Sequence, residues 1–131
     1  MGLDMYLTGN KDHWTNWESP EKNKKEDGFE VCGTQLRLGY WRKHPDLHGY
    51  IVDTFAEGVD ECQEILLDAD NIQNIIDAVK GDALPKTSGF FFGESDGSEK
   101  DETIKIFEAA IEWLSKGDSW NSRSVIYRAS W

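Results

Sequence analysis

Alternating apolar and polar residues near the two ends of the chain predict two half-buried strands. Leu3, Met5 and Leu7 occupy every second position near the N-terminus, and Val125, Tyr127, Ala129 and Trp131 do so near the C-terminus. A period of two places side chains on opposite faces of a strand, so one face of each is expected to be buried. Apolar runs bounded by turn residues predict three further strands, at Phe29–Leu38, Ile65–Leu67 and Gly89–Gly93.

Apolar residues at spacings of three and four predict three amphipathic helices. With their cap and stop residues included, the helices are expected at residues 45–57, 68–81 and 98–117. Proline is tolerated at the first helical position, which marks Pro45 as a start, and Asp68 is a typical N-cap. Glycines at 58, 81 and 117 supply the three stops.

The order of these elements predicts the α+β class. A single domain is expected over residues 1–131, with a mixed or mainly antiparallel sheet and about three helices packed mainly on one face. Some connections between the predicted strands are too short for a parallel crossover, which favours antiparallel pairing. The polar composition of residues 9–28 predicts a variable surface loop there.

Charge and composition exclude several classes of protein. The chain carries 14 Lys and Arg against 25 Asp and Glu, a net charge of −11, which argues against general nucleic-acid binding. No apolar run is long enough for a membrane span, and Met1–Asp4 lacks the basic segment of a signal peptide. Two cysteines make no disulfide framework, so a cytoplasmic protein with reduced thiols is expected.

The arginines lie in two pairs, Arg37 with Arg42 and Arg123 with Arg128. A guanidinium fork suits phosphate oxygens, and aromatic rings nearby would offer stacking surfaces for a base. The cations and aromatic residues that could form one phosphate-binding pocket are Arg37, Trp41, Arg42, Lys43, His44, His48, Phe90, Phe91, Phe92 and Arg128. Alternatively, the arginines pair with the abundant acids and the aromatic rings belong to the core.

A long acidic stretch gives a second hypothesis. No Lys or Arg occurs between His44 and Val79, and carboxylates there could imitate DNA phosphates and bind a basic host enzyme. The candidate partner-binding residues are Asp53, Glu57, Asp60, Glu61, Glu64 and Asp68. A solvated acidic face that aids solubility is the simpler interpretation.

His44 and His48 give a third hypothesis, because their spacing allows both to face one ligand from a helix. They could act as general acid and base on a phosphoester. No glutamate follows the first histidine as in helical zinc sites, and no metal or cofactor is expected. The sequence lacks nucleophile-elbow, zinc-protease, CxxC and phosphate-loop motifs, which favours a non-catalytic protein over an enzyme.

Several segments together resemble a family of small proteins encoded by phages and bacteria. The segments are Met1–Leu7, Gly39–His44 with His48, Ser88–Gly93, and the pair Ser130 and Trp131. The resemblance implies a phage context inside a bacterial host cell, where small stand-alone proteins often counter host defence.

Taken together, these features favour a non-catalytic protein that sequesters a phosphate-bearing, nucleotide-like small molecule such as a host immune signal. A homodimer joining two such pockets is compatible with that function. The acidic inhibitor of a nucleic-acid-acting host enzyme is the first alternative, and the phosphoester-processing enzyme is the second.

Overall fold

The computed structural model describes residues 3–13, 25–42, 44–84, 100–116 and 121–130. The elements in these residues, in chain order, are β1 (Asp4–His13), β2 (Lys25–Glu26), β3 (Phe29–Glu30), β4 (Gly33–Arg42), α1 (Pro45–Phe55), β5 (Ile65–Leu67), α2 (Ala69–Lys80), α3 (Lys100–Ser115) and β6 (Asn121–Ser130). The predicted α+β class is confirmed. None of the described helices has the length and apolar character needed to cross a membrane.

Four of the strands form one antiparallel sheet in the order β4-β1-β6-β5. Strands β1 and β6 therefore lie side by side in the middle of the sheet. Both have apolar residues at every second position, so their apolar side chains can lie on the same face. Strands β2 and β3 form a separate small hairpin. Its turn residues Asp27 and Gly28 both have positive φ angles, 52° and 84°, which is the backbone conformation of a tight hairpin turn.

The three helices pack on one side of the four-stranded sheet, which we call the covered face; the other side is the open face. Strand residues on the covered face, including Met5, Leu7 and Tyr127, join helix residues in one hydrophobic core. Two glycines let α3 approach closely. A Cβ atom at Gly39 would lie 2.6 Å from Ile106 Cγ2, and one at Gly9 would lie 2.9 Å from the Trp113 ring.

The residues at the helix ends explain where α1 and α2 begin and end. In α2, Asp68 accepts a hydrogen bond from the Asn71 backbone and the Asn71 side chain accepts one in return, so the predicted cap is confirmed and Gly81 ends the helix. Helix α1 begins at Pro45 as expected but ends at Phe55. The predicted end at Glu57 is too late, because Glu57 has a φ of 54° and cannot continue a right-handed helix.

Two sequence-based boundaries need correction. The predicted loop at 9–28 begins too early, because β1 continues to His13, pairing with β4 as far as Asp12 and with β6 as far as His13. Pairing on both sides stabilises a strand despite its polar residues. The predicted strand Phe29–Leu38 is two strands, β3 and β4. The predicted strand at Gly89–Gly93 lies outside the described residues.

A bulge in β4 changes which residues share a face. Leu7 pairs with Gly39, but the next residue, Thr8, pairs with Arg37, so Leu38 is skipped in the register. Leu38 and Gly39 consequently both lie towards the covered face, and both contact core side chains. The extra residue puts Arg37 on the open face together with Tyr40, although an odd spacing would separate them in a regular strand.

Candidate functional site

The open face carries a groove of about 350 Å³, which we call the sheet groove. Its volume lies at the lower end of the range found for small-molecule sites. The groove crosses three neighbouring strands and the residue before β5. Its lining residues are Tyr6, Thr8, Gln35, Arg37, Glu64, Ile126, Arg128, Ala129 and Ser130.

The strand order brings the two arginines of the groove together. Arg37 pairs with Thr8 across β4 and β1, and Arg128 pairs with Tyr6 across β6 and β1. The two arginines therefore lie on the strands to either side of the central strand β1. Neither arginine forms an ion pair with a carboxylate among the described residues.

Aromatic contacts position Arg37. Its Cζ atom lies 5.2 Å from the centroid of the Tyr6 ring, a cation–π distance, and the Tyr6 and Tyr40 rings are 5.3 Å apart at 52°. The Tyr40 hydroxyl donates a hydrogen bond to Asp4 Oδ1 at 2.5 Å. That hydrogen bond raises the pKa of the Tyr40 phenol above its usual value. This row of contacts supports one wall of the sheet groove.

A backbone carbonyl positions Arg128. Its Nε donates a hydrogen bond to the Cys62 carbonyl at 3.2 Å, which ties the groove to the loop between α1 and β5. This bond uses the Nε–H, and an arginine has four further N–H donors on its two terminal nitrogens. The site can thus present a fork to an anion while the loop holds the side chain.

Trp41 does not belong to this site. Its side chain is only 4% exposed, its ring stacks on Phe107 with centroids 5.4 Å apart, and its Nε1 donates to Thr103 Oγ1 at 2.9 Å. The prediction that Trp41 stacks on a base is therefore corrected: a core contact already covers the ring. The alternation in β4 places its neighbour Tyr40, which is 44% exposed, on the open face instead.

The two histidines are also buried, with His44 5% and His48 2% exposed. His48 Nε2 lies 2.9 Å from Asp60 Oδ2, and Nδ1 lies 2.6 Å from the Tyr127 hydroxyl. Burial, and after it the charge on Asp60, raise the pKa of Tyr127 well above its usual value, so this phenol keeps its proton and can donate to Nδ1.

This buried chain of hydrogen bonds corrects the predicted roles of the histidines. Both rings are enclosed by protein, and the sheet groove lies on the open face with neither histidine in its lining. A phosphoester bound in the sheet groove would not contact them, so the structure does not bring His44 and His48 into this site.

The remaining predicted site residues divide into two sets. Arg42 is exposed and pairs with Asp4 across the sheet, but it does not line the groove. Lys43 and Phe90–Phe92 lie outside the described residues. Of the predicted cations, the groove brings together Arg37 and Arg128.

The acidic candidates likewise have different surroundings. Asp60 bonds to His48 and Asp68 caps α2, so both have structural roles. Asp53, Glu57 and Glu61 are exposed, and Glu64 lines the sheet groove. Binding of a basic partner by this surface stays a prediction, which a salt-sensitive pull-down would test.

Sequence reasoning missed the uncharged residues of the groove. Besides the buried Ala129, they are residues of the open face, next to those that the alternation assigned to the core: Tyr6, Thr8, Gln35, Ile126 and Ser130. Apart from Gln35, which is in the bulged strand, the period-two pattern could have identified them, because each stands next to a buried residue of β1 or β6.

No protein-family model matches the chain, and neither a curated protein nor a solved structure matches it. The resemblance to small phage and bacterial proteins therefore stays a prediction, and the groove geometry carries the functional argument.

Proposed function

We propose that the chain is a non-catalytic binding protein that holds a phosphate-bearing, nucleotide-like small molecule in the sheet groove. The observation that carries the proposal is the position of Arg37 and Arg128 in one groove, without a carboxylate ion pair to either among the described residues. Two arginines in such a position can each donate charge-assisted hydrogen bonds to phosphate oxygens.

Uncharged polar groups in the groove suit the same ligand. Thr8, Gln35 and Ser130 supply hydroxyl and amide groups that can donate to or accept from a sugar or a phosphate. Ile126 adds an apolar surface on the same strand as Arg128. A small number of polar groups around an apolar patch is typical of small-molecule sites.

Tyr6 and Tyr40 take the stacking role that the sequence suggested for Trp41. Their rings lie on the open face, Tyr6 lines the groove, and nearly half of Tyr40 is exposed beside it. Base–aromatic stacking contributes about 1–3 kcal/mol per base in nucleic-acid-binding proteins. A ligand with both a phosphate and a flat ring would use the arginines and this aromatic row together.

A binding role without turnover fits the chemistry of the groove. Its described lining offers hydrogen-bond donors for an anion, whereas His44 and His48 are buried outside it. In the phage context that the resemblance implies, holding a nucleotide signal away from a host receptor would need binding alone.

Calorimetric titration with linear and cyclic nucleotides, adenosine and inorganic phosphate tests the proposal. We expect at least one nucleotide to bind, and Arg37→Ala and Arg128→Ala to weaken it about 10-fold or more, the effect of losing a charge-assisted hydrogen bond. Arg42→Ala is the matched control, because it removes the same charge from the same sheet outside the groove. The affinity of the Arg42→Ala variant for the nucleotide should stay within about 3-fold of the affinity of the unchanged protein.

Two results would contradict the proposal. One is the absence of binding to every compound, and the other is an affinity that Arg37→Ala and Arg128→Ala leave unchanged. Chromatography of the ligand after long incubation tests the non-catalytic part, because recovery of intact ligand is expected and a new product would identify an enzyme.

A further inference from the structure

Glu64 is the acidic residue in the described lining of the sheet groove. It precedes β5, in which Ile65 pairs with Tyr127, so one further step of the same register places Glu64 opposite Arg128. Leu66 lies on the open face and is 66% exposed, and the period of two places Glu64 on the same face. A carboxylate thus borders the site where an anion would approach Arg128.

The loop before Glu64 is held at two points. Asp60 bonds to the buried His48, and the Cys62 carbonyl accepts the hydrogen bond from Arg128 Nε. Within the loop, the Glu61 backbone N–H donates to the Gln63 side chain at 2.8 Å. The backbone that carries Glu64 is therefore fixed relative to the groove.

A carboxylate in this position affects ligands of different charge in opposite ways. An ionised carboxylate only accepts hydrogen bonds, so it favours an amino or hydroxyl donor on the ligand and repels a further phosphate. Glu64 forms no ion pair with Arg128 among the described contacts, so its charge is not neutralised by that neighbour. Two guanidinium groups with one carboxylate match a ligand of low negative charge.

We propose that Glu64 is a specificity-determining residue that restricts the sheet groove to ligands with one phosphate group and an N–H or O–H donor within its reach. Nucleoside monophosphates belong to this class, and nucleoside triphosphates are disfavoured. The inference rests on the proposed function, since it concerns the choice among ligands of the same groove.

The experiment compares AMP with ATP by calorimetric titration, in EDTA so that no divalent cation shields the triphosphate. The unchanged protein should bind AMP about 10-fold or more tightly than ATP. Glu64→Gln keeps the size of the side chain and removes its charge, so the preference for AMP should shrink about 5-fold or more, mainly through tighter ATP binding.

Glu61→Gln is the matched control, because Glu61 is an exposed acid of the same loop outside the groove lining. It changes the net charge of the chain by the same amount, so it measures the long-range contribution alone. The AMP-to-ATP ratio of this variant should stay within about 2-fold of the unchanged protein.

The outcomes separate the two proposals. If AMP binding depends on Arg37 and Arg128 but the AMP-to-ATP ratio is the same in Glu64→Gln as in the unchanged protein, the role of Glu64 is wrong and the binding function stands. An equal change of the ratio in Glu61→Gln also overturns the role of Glu64. If neither nucleotide binds to the unchanged protein or to Glu64→Gln, the role of Glu64 is wrong, and the binding function fails as well when no compound of the wider panel binds.

Discussion

The covered and open faces of one sheet are built from the same strands, residue by residue, yet they have different chemistry. On the covered face Trp41, His48 and Tyr127 satisfy their polar atoms with other side chains and are almost fully buried. On the open face Arg37 and Arg128 have an aromatic ring and a backbone carbonyl as neighbours, and both border a groove.

This difference shows how residues of similar chemical type divide between stability and binding. The Trp41 indole and the His48 imidazole look like ligand-binding groups, but the pleat of β4 turns Trp41 into the core and His48 lies on the buried side of α1. The tyrosines and arginines beside them point the other way. The face of the strand, more than the type of side chain, determines which groups a ligand can reach.

The largest expected change in the free energy of unfolding is found by comparing variants of two adjacent residues on opposite faces of the sheet. Trp41→Ala should lower the free energy of unfolding by about 3–5 kcal/mol, because it leaves a cavity against Phe107 and an unsatisfied Thr103 hydroxyl. Tyr40→Ala should cost about 1 kcal/mol or less, since it removes an exposed contact with Tyr6 and a hydrogen bond to Asp4. Urea denaturation measures both, and equal costs would contradict the assignment of the faces.

A smaller effect is expected inside the buried hydrogen-bond chain. Tyr127→Phe removes the hydroxyl that bonds to His48 Nδ1 and should lower the free energy of unfolding by about 1–3 kcal/mol. Tyr50→Phe is the control, because the Tyr50 hydroxyl lies 3.4 Å from the Asn74 carbonyl and is part of an exposed contact. Denaturation at neutral pH should show a change of about 0.5 kcal/mol or less for this control.

Alkaline pH sharpens the same comparison. Because burial raises the pKa of Tyr127, the unfolded chain releases this proton first, near pH 10, and the folded protein keeps it. Folding stability should therefore fall as pH rises above about 10, by about 1.4 kcal/mol per pH unit from this one group. Denaturation curves at pH 8 and pH 11 give the free energy of unfolding of the unchanged protein and of Tyr127→Phe. The difference between the two proteins should be smaller at pH 11, and an equal difference at both pH values would contradict the burial of the Tyr127 phenol.

The smallest effect is expected on the open face. Leu66→Thr exchanges an exposed apolar side chain for a good strand former, so the free energy of unfolding should change by about 0.5 kcal/mol or less. Denaturation at two protein concentrations measures it. A cost above about 2 kcal/mol that grows with concentration would show that a second copy covers this face in a homodimer.

Local patterns in the sequence account for much of the fold. The period-two residues of β1 and β6, the Asp68 cap and the glycine after α2 each have a local physical cause, and the structure places them as expected. One strand end was missed for a non-local reason. The polar end of β1 up to His13 is stabilised by partners on both sides, which no local propensity reveals.

The candidate site was predictable only in part. Arg37 and Arg128 were identified as phosphate-binding candidates from their chemistry, but their meeting depends on the strand order β4-β1-β6, which the sequence does not specify locally. The burial of Trp41 follows from alternation once Gly39 is placed on the covered face. The face of Arg37 could not be derived in this way, because a bulge interrupts the alternation before it.

That bulge also has a genetic consequence. Because Leu38 is the extra residue in β4, loss of its single codon would leave Gly39 opposite Leu7 and Arg37 opposite Thr8, so the strand would pair regularly and Arg37 would stay on the open face. An in-frame loss of this one amino acid would thus remove the bulge while both arginines keep their partners on the central strand.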